Sequence, residues 1–205
     1  MRCWAPSGDE IELCGHGLLC CAHAWLVEES ARESLAMNGT RVHFESRGGL
    51  GWLAFPSIET QPCETPLWST KLLQATPERA AIAGPENGYL VLEMPADCDL
   101  TALQAPGDLL TAKSTRSLIV TRRVSSADSL QGETLHYRYF APQFGVPEDT
   151  ATGSAMRVLA TYWQQRGAGD EQRALQRSPG GGWLESRIDD PYTWIGGRVS
   201  GEGTA

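Results

Sequence analysis

The feature that most constrains the fold is a short pattern that occurs twice in the chain. Residues 2–6 read RCWAP and residues 138–142 read RYFAP. Each is followed by a glycine turn and an apolar helical pattern, LCGHGLLCCAHAW at Leu13–Trp25 and ATGSAMRVLATYW at Ala151–Trp163. Because a duplicated strand, turn and helix implies two similar units, the sequence predicts two lobes related by a pseudo-twofold axis.

The two helical patterns align without a gap. Gly15 then stands opposite Gly153, and His16 stands opposite Ser154. Apolar side chains recur at helical spacing in both segments, and few charged residues interrupt them. We therefore predict a buried core helix in each lobe, preceded by its glycine turn.

Short β-like runs between and after the helices predict strands. These runs are Arg41–Glu45, Gly51–Phe55, Tyr89–Met94, Ser117–Thr121, 180–188 and 192–199. The 22 glycines and 12 prolines indicate many turns, which favours a mixed or β-rich architecture over a helical bundle. The best candidate for a boundary is PCETP at Pro62–Pro66, so we predict an N-terminal lobe at residues 1–64 and a C-terminal lobe at residues 65–205.

The charge of the chain narrows the range of partners. The formal net charge is −8 and no dense Lys/Arg run occurs. Nucleic acid and anionic membranes are therefore disfavoured, because binding to a polyanion needs a basic surface. The sequence shows no secretory leader and no apolar run of about 20 residues, so we expect a soluble, cytoplasmic protein.

Six cysteines stand at positions that fit no zinc-binding spacing. The nearest approach to a cluster is formed by Cys14, Cys20, Cys21 and His23. Because the adjacent Cys20 and Cys21 point to different sides of any helix, we expect no metal centre here. Reduced thiols are the simplest interpretation for a cytoplasmic protein.

The two glycine turns carry the candidate chemistry. A helix N-terminus has unpaired N–H groups and a partial positive charge, and a glycine there lets a ligand approach the backbone. Two such ends facing each other would form a cleft suited to a small carboxylate substrate. His16, Ser154 and the upstream Asp149 would then supply an imidazole, a hydroxyl and a carboxylate for proton transfer.

Each of these residues also has a plain structural explanation. Asp149 or Thr152 is typical of a helix N-cap, and His16 is typical of a hydrogen-bonded histidine at a helix start. We expect Glu148 to be a solvated neighbour. The duplication of the glycine turn is what favours the functional interpretation.

At these residues the chain resembles the PhzF-like family of phenazine-biosynthesis proteins. The family's two turns, of the types CGHATLA and EDPATGSA, correspond to CGHGLLC at Cys14–Cys20 and EDTATGSA at Glu148–Ala155. The lead-ins RCWAP and RYFAP, Glu10, and the closing segments SPGGGWLESRI and WIGGRV are also similar. The resemblance covers nearly the whole chain.

The resemblance implies an α+β fold similar to that of diaminopimelate epimerase, in which a twisted, mostly antiparallel sheet wraps around a central helix in each lobe. It also implies a homodimeric, cofactor-independent isomerase or epimerase that moves a proton on a small carboxylate-bearing substrate. On the family's pattern His16, Asp149 and Ser154 are carried over as catalytic residues. The positions carried over for substrate binding are Gly15, Gly17, Thr152, Gly153 and Ala155.

The chain departs from the family pattern in two places. Gly17-Leu18 stands where the family has Ala-Thr, so the first turn lacks one hydroxyl. Family members also have further N-terminal residues with opening strands and a proton-shuttling glutamate, so we expect an N-terminally short member whose first lobe is incomplete. Two interpretations follow: an isomerase with a relocated base or a start site assigned too late, or a catalytically impaired member that binds a small acid or only oligomerises.

A further alternative uses the thiol of Cys14. CGHG also resembles the turn of proline racemases and related epimerases, in which that cysteine is one of two bases. A thiol at a helix N-terminus is suited to abstracting an α-proton. The partner position holds Thr152, which excludes a symmetric two-thiol racemase and leaves a one-base dehydratase or epimerase. The plain alternative is that Cys14 is a small buried residue.

Overall fold

The computed structural model describes residues 1–4, 8, 10–11, 14–27 and 33–199. Its helices are α1 (Gly15–Val27), α2 (Leu67–Leu73) and α3 (Gly153–Gln164). Its strands are β1 (Cys3–Trp4), β2 (Glu10–Ile11), β3 (Ser34–Met37), β4 (Thr40–Arg47), β5 (Leu50–Pro56), β6 (Thr60–Cys63), β7 (Arg79–Ala83), β8 (Tyr89–Glu93), β9 (Ser117–Arg123), β10 (Leu135–Phe140), β11 (Glu171–Gln176), β12 (Gly182–Asp189) and β13 (Tyr192–Gly197). Each of the predicted strand runs overlaps an observed strand, with ends that differ by up to two residues.

One mixed sheet dominates the described residues. Its strand order is β3-β4-β5-β13-β12-β11-β10-β9-β8-β7-β6, while β1 and β2 form a separate antiparallel pair. The pairs β8–β9 and β10–β11 are parallel, and the remaining neighbours are antiparallel. The expected α+β fold with a mostly antiparallel sheet is therefore confirmed at that level, and the chain is richer in strand than in helix.

The sheet is continuous between the regions assigned to the two lobes. β5 pairs directly with β13, so the N-terminal and C-terminal parts share one hydrogen-bonded ladder. The segment at Pro62–Pro66 joins the end of β6 to α2, and β6 pairs with β7. The division at residues 64 and 65, with two pseudo-symmetric lobes, stays a prediction.

The sheet curves around α3. This helix contacts β6 at one end of the strand order and β11, β12 and β13 beyond the middle, which requires the intervening strands to bend around it. α1 instead packs against β3, β4 and β5, and it touches α3. None of the helices in the described ranges is long and apolar enough to cross a membrane.

The two long helices differ in burial. In α3, seven of the twelve residues are buried, among them Met156 and Trp163, as predicted for a core helix. In α1, Leu18 and Ala22 are fully buried, but His16 and Cys20 are exposed. α1 is thus less enclosed than the predicted core helix, because it rests on the β3–β5 part of the sheet whereas the curved sheet surrounds α3.

Strand β10 separates two cores. Side chains alternate between the faces of a strand, and every residue of β10 is buried. Leu135, Tyr137 and Tyr139 pack in the core around α3, whereas Phe140 packs in a second core with Leu73 of α2. A strand that is buried on both faces needs apolar side chains, or polar side chains that are paired. Arg138 is the charged residue of this strand, and it is paired with Glu148.

A buried carboxylate holds the loop before β10 and makes stability depend on pH. Glu133 accepts the backbone N–H groups of Leu130 and Gln131 and the hydroxyl of Ser129 at 2.9–3.1 Å. Burial alone would raise the pKa of Glu133, but these donors outweigh it and lower that pKa from 4.5 to about 2. The stabilising contribution is therefore complete above the unfolded pKa and is lost as the pH falls from about 4.5 towards 2.

We expect Glu133→Gln to lower the free energy of unfolding by about 2 kcal/mol at pH 7, because the amide cannot accept all three donors. Urea unfolding of both proteins between pH 7 and pH 3 should show the difference shrinking as the pH falls. His136 lies 3.4 Å from Glu133, and its pKa is lowered by burial but raised by Glu133, so the comparison is repeated in a His136→Asn background to remove its titration from the difference. A difference that is constant with pH would contradict this role for Glu133.

Candidate active site

The two repeated units form the same ion pair. Arg2 donates to both carboxylate oxygens of Glu10 at 2.7 and 2.6 Å, and Arg138 donates to both of Glu148 at 2.7 and 2.8 Å. Each guanidinium also lies over the aromatic ring two residues further on, Trp4 at 5.1 Å and Phe140 at 4.9 Å. The residues that are repeated in the sequence therefore make the same contacts in both units. Ala5, Pro6 and Leu13 of these motifs lie outside the described residues.

The second of these pairs corrects one expectation. Glu148 was expected to be solvated, but its side chain is only 12% exposed and that of Arg138 is 7% exposed. Arg138 also donates to the carbonyl oxygens of Leu100 and Leu103 at 2.9 and 2.7 Å. Because a carboxylate this buried needs a cation, Glu148 is a structural anchor that ties the second glycine turn to β10.

Both helices begin at the aligned glycines. α1 starts at Gly15 and α3 starts at Gly153, and the preceding residues, Cys14 and Thr152, are equivalent in the two units. The carbonyl oxygen of Cys14 accepts from the N–H of Leu18 at 3.0 Å, and that of Thr152 accepts in the same way at 3.1 Å. The gapless alignment of the two patterns is thus confirmed at the helix starts.

Asp149 is oriented by its own turn. Its carboxylate accepts the N–H of Thr150 at 2.9 Å through one oxygen and the hydroxyl of Thr152 at 2.6 Å through the other. Thr152 occupies the N-cap position of α3, yet no side chain of the described residues caps this helix. Thr152 is therefore the N-cap residue by position, as the structural explanation has it, but Asp149 and Thr152 bond to each other and leave the first-turn N–H groups available.

Residues that the repeat does not reveal hold this turn in place. Gln176, fully buried in β11, donates to the carbonyl oxygen of Asp149 and accepts the N–H of Thr152 at 2.7 Å. The hydroxyl of Ser178 donates to the carbonyl of Thr150 at 2.6 Å, and that of Tyr137 donates to the carbonyl of Thr152 at 3.2 Å. Burial raises the pKa of Tyr137, so this phenol stays a donor.

The end of β13 lies beside both helix starts. A Cβ placed on Gly153 would lie 3.6 Å from Cγ2 of Ile195. A Cβ placed on Gly197 would lie 3.0 Å from Cδ2 of Leu19, one turn into α1. Positions i and i+2 of a strand are about 7 Å apart, so the first turns of α1 and α3 lie close together.

The predicted catalytic residues are placed as follows. Asp149 and Ser154 are half-buried at the start of α3, and His16 is exposed at the start of α1. In the described part of the chain, no hydrogen bond or ion pair joins His16 to Asp149 or to Ser154. The fold brings the two turns near each other, and the catalytic roles stay predictions.

Four of the five predicted substrate-binding positions fall into two groups, and the fifth, Thr152, is buried and bonded to Asp149. A Cβ on Gly15 would meet no described atom within 4 Å, and one on Gly153 would meet only Ile195 at an ordinary distance. Neither glycine has a positive φ, so neither packing nor backbone conformation requires glycine there. Gly17 instead is covered by the side chains of Met1, Cys3 and Cys14, and Ala155 is fully buried, so these two could contribute only through backbone groups.

Sulfur atoms surround the start of α1. The Sγ atom of Cys14 accepts the N–H of Gly17 at 3.4 Å, and a Cβ on Gly17 would lie 3.2 Å from Sγ of Cys3 and 3.3 Å from that of Cys14. Burial raises the pKa of the Cys3 thiol, and its hydrogen bond with Cys14 raises it further. All six cysteines are unpaired, and the described residues contain no cluster suited to a metal ion. A base role for Cys14 stays a prediction.

A cavity of about 460 Å³ lies away from these turns. It is lined by Arg47, Trp52, Glu171, Arg173 and Glu185, among others, on β4, β5, β11 and β12. Its cations are already matched, because Arg173 pairs with Glu185 at 3.0 Å and Arg47 pairs with Glu171 at 3.4 Å. The paired glycine turns remain the better candidate for chemistry on a charged substrate.

Sequence comparison identifies relatives over most of the chain. The family model for phenazine biosynthesis-like proteins (PhzC-PhzF) matches residues 1–182. An uncharacterized isomerase from Vibrio cholerae is 35% identical over 185 residues, which cover 89% of this chain and 62% of that protein. An uncharacterized isomerase from Halalkalibacterium halodurans is 28% identical over 198 residues, covering 96% of this chain and 73% of that protein. The chain thus spans under two thirds of the length of the Vibrio relative.

Comparison with solved structures also identifies a protein of the PhzF family. The crystal structure of a phenazine biosynthesis protein of the PhzF family from Enterococcus faecalis superposes with a TM-score of 0.82 at 25% identity, covering 96% of this chain and 73% of that one. A predicted epimerase from Pseudomonas aeruginosa superposes with a TM-score of 0.65 at 19% identity, covering 96% of this chain and 74% of that one. The second likeness concerns the fold alone.

Proposed function

Because the chain belongs to the phenazine biosynthesis-like protein (PhzC-PhzF) family, we propose that it is an isomerase that moves a proton on a small carboxylate-bearing substrate without a cofactor. In this proposal the substrate lies between the starts of α1 and α3, in a cleft flanked by lobes at residues 1–64 and 65–205. The relatives named as isomerases support the reaction class.

The observation that carries this proposal is the uncapped start of α3 beside an oriented carboxylate. Asp149 accepts from Thr150 and Thr152 instead of from the helix, so the first-turn N–H groups are available to a ligand. A helix N-terminus favours an anion through these donors and through its dipole. A substrate carboxylate bound there would bring its neighbouring carbon close to Asp149.

Each candidate residue has a role in the proposed reaction. The N–H groups of Gly153, Ser154 and Ala155 would bind the carboxylate, with the first turn of α1 contributing from the other side. Asp149 and His16 would orient the substrate and share hydrogen bonds with the groups between which the proton moves. The Ser154 hydroxyl would complete the donor set at the reacting atoms.

The test is proton exchange in deuterated water. The protein is incubated with α-amino acids, cyclohexadiene amino acids and 2-keto acids, and loss of the C–H signal next to the carboxylate is followed by proton NMR. We expect exchange of one class of acid, abolished by Asp149→Asn and by His16→Asn. The amide oxygen introduced by Asp149→Asn can still accept from Thr150, so the turn is retained while the carboxylate is lost. Exchange that survives both substitutions, or no exchange with any acid, would overturn the proposal.

Glycine variants separate binding from folding. Gly15→Ala and Gly153→Ala should leave the unfolding midpoint unchanged or higher, because a Cβ fits at both positions and alanine favours a helix. If the carboxylate approaches the backbone there, both variants should lose at least tenfold in exchange rate, about 1.4 kcal/mol. Full exchange activity in both variants would show that the carboxylate binds elsewhere.

A further inference from the structure

Arg157 stands out on the open face of α3. It follows Ser154 by three residues and Gly153 by four, so it lies one turn further along the same side of the helix. This side is half-exposed, whereas most of α3 is buried. Helical side chains lean towards the helix N-terminus, which directs Arg157 over the turn that begins the helix.

The guanidinium of Arg157 has no anionic partner among the described residues. Its Nε atom is buried and unpartnered, and no hydrogen bond or ion pair joins this side chain to any residue in the described ranges. Arg122 and Arg187 also carry a buried, unpartnered Nε, but Arg122 donates to the carbonyl of Ala96 and Arg187 pairs with Glu45 at 3.2 Å. In the same part of the chain, Arg157 makes no hydrogen bond or ion pair through its other nitrogen atoms either.

Two tyrosines lie between Arg157 and the turn that contains Asp149. Burial lowers the pKa of Arg157, and Tyr89 is the nearby group that opposes this shift. The ring of Tyr89 lies 6.3 Å from that of Tyr139 between centroids, and Asp149 is an electrostatic neighbour of Tyr139. The N–H of Asp149 donates to the carbonyl of Tyr139 at 3.2 Å. Together with its place one turn after Gly153 and Ser154, the nearness of Tyr89 puts Arg157 on the side of α3 that begins at the second glycine turn.

An unpaired, desolvated cation is costly to the folded protein, and a ligand anion is the simplest compensation. We propose that Arg157 binds the anionic group of the substrate, as a bidentate guanidinium–carboxylate contact beside the start of α3. The inference rests on the proposed function for the identity of the ligand as a substrate, and it adds a residue that determines charge specificity. An acid would be selected over its amide, because only the acid supplies the missing charge.

The first arm of the test uses the protein alone. Arg157→Met keeps an unbranched apolar stem and removes the guanidinium and its charge, and its urea midpoint is compared with that of the native protein. We expect the variant to unfold at an equal or higher urea concentration, since a charge without a partner is removed. A clearly lower midpoint would overturn the proposal, because it would show that Arg157 stabilises the fold through contacts within the chain.

The second arm uses benzoate and its neutral analogue benzamide as probes in thermal unfolding. Benzoate should raise the unfolding temperature of the native protein, and benzamide should not. Arg157→Met should respond to neither, whereas Arg157→Lys should keep part of the response to benzoate. An equal benzoate response in native protein and Arg157→Met, or none in the native protein, would overturn the proposal. Arg157-dependent binding without proton exchange would refute the proposed function and leave this inference standing.

Discussion

Replacing Arg138 by methionine is expected to lower the free energy of unfolding by about 3–5 kcal/mol, as measured by urea denaturation. The variant leaves the carboxylate of Glu148, 12% exposed, without its cation. It also leaves the carbonyl oxygen of Leu103 without its donor, and that of Leu100 with only the N–H of Leu103 at 3.4 Å. Breaking one side of a buried pair is costly because the remaining charge is neither solvated nor neutralised.

The internal repeat provides a matched control. Arg2 forms the same bidentate contact with Glu10, but their side chains are 65% and 31% exposed. Water solvates that carboxylate when the cation is removed, so Arg2→Met should leave the unfolding midpoint nearly unchanged. The two pairs have the same geometry but differ in burial and in the two carbonyl oxygens that Arg138 also contacts. A loss at Arg138 no larger than that at Arg2 would contradict the assignment of Glu148 as a buried anchor.

A double variant tests the origin of the loss. Arg138→Met together with Glu148→Leu removes both charges, and we expect it to be more stable than Arg138→Met alone. Recovery will be partial, because the carbonyl of Leu103 still lacks a donor and that of Leu100 keeps only the N–H of Leu103 at 3.4 Å. If the double variant is less stable than either single one, the pair does not account for the effect.

Whether a feature of this protein could be predicted from its sequence depends on how far apart in the chain the contacting residues lie. The helix starts at Gly15 and Gly153 were predictable, because the duplicated pattern aligns them and local periodicity defines a helix. Most longer strands were predictable for the same reason. Strands β2, β3, β6, β7 and β11 were missed, since their short, mixed sequences gain strand structure from neighbouring strands.

The candidate site shows the same limit. Asp149, Thr152 and Ser154 lie in one short motif, so the sequence placed them together. Gln176 lies on a different strand, and nothing in its local sequence states that its side chain reaches the turn at residues 149–152. Glu148 was misjudged because its partner Arg138 is ten residues away in the chain. Burial of a charge is decided by tertiary packing, which a local pattern does not report.

Replacing Gln176 by leucine is expected to lower the free energy of unfolding by about 2–5 kcal/mol and to abolish proton exchange. Leucine fills a similar volume but leaves the N–H of Thr152 and the carbonyl of Asp149 buried without partners. With both groups released, the turn no longer fixes the carboxylate of Asp149 beside the start of α3. Urea denaturation measures the first effect, and deuterium exchange on folded protein measures the second.

Gln172 separates this positioning role from a general loss of stability. It lies on the same strand, is 3% exposed, and donates to the carbonyls of Ala160 and Gly169 at 2.9 and 3.2 Å. Gln172→Leu removes these two bonds and should also destabilise the protein, but by less than Gln176→Leu, because Oε1 of Gln172 is itself buried without a partner among the described residues. It should keep its exchange activity, because those contacts hold the far end of α3. Equal loss of exchange in the two variants would mean that Gln176 acts only through stability. Loss confined to Gln176→Leu would identify it as the residue that positions Asp149 and Thr152.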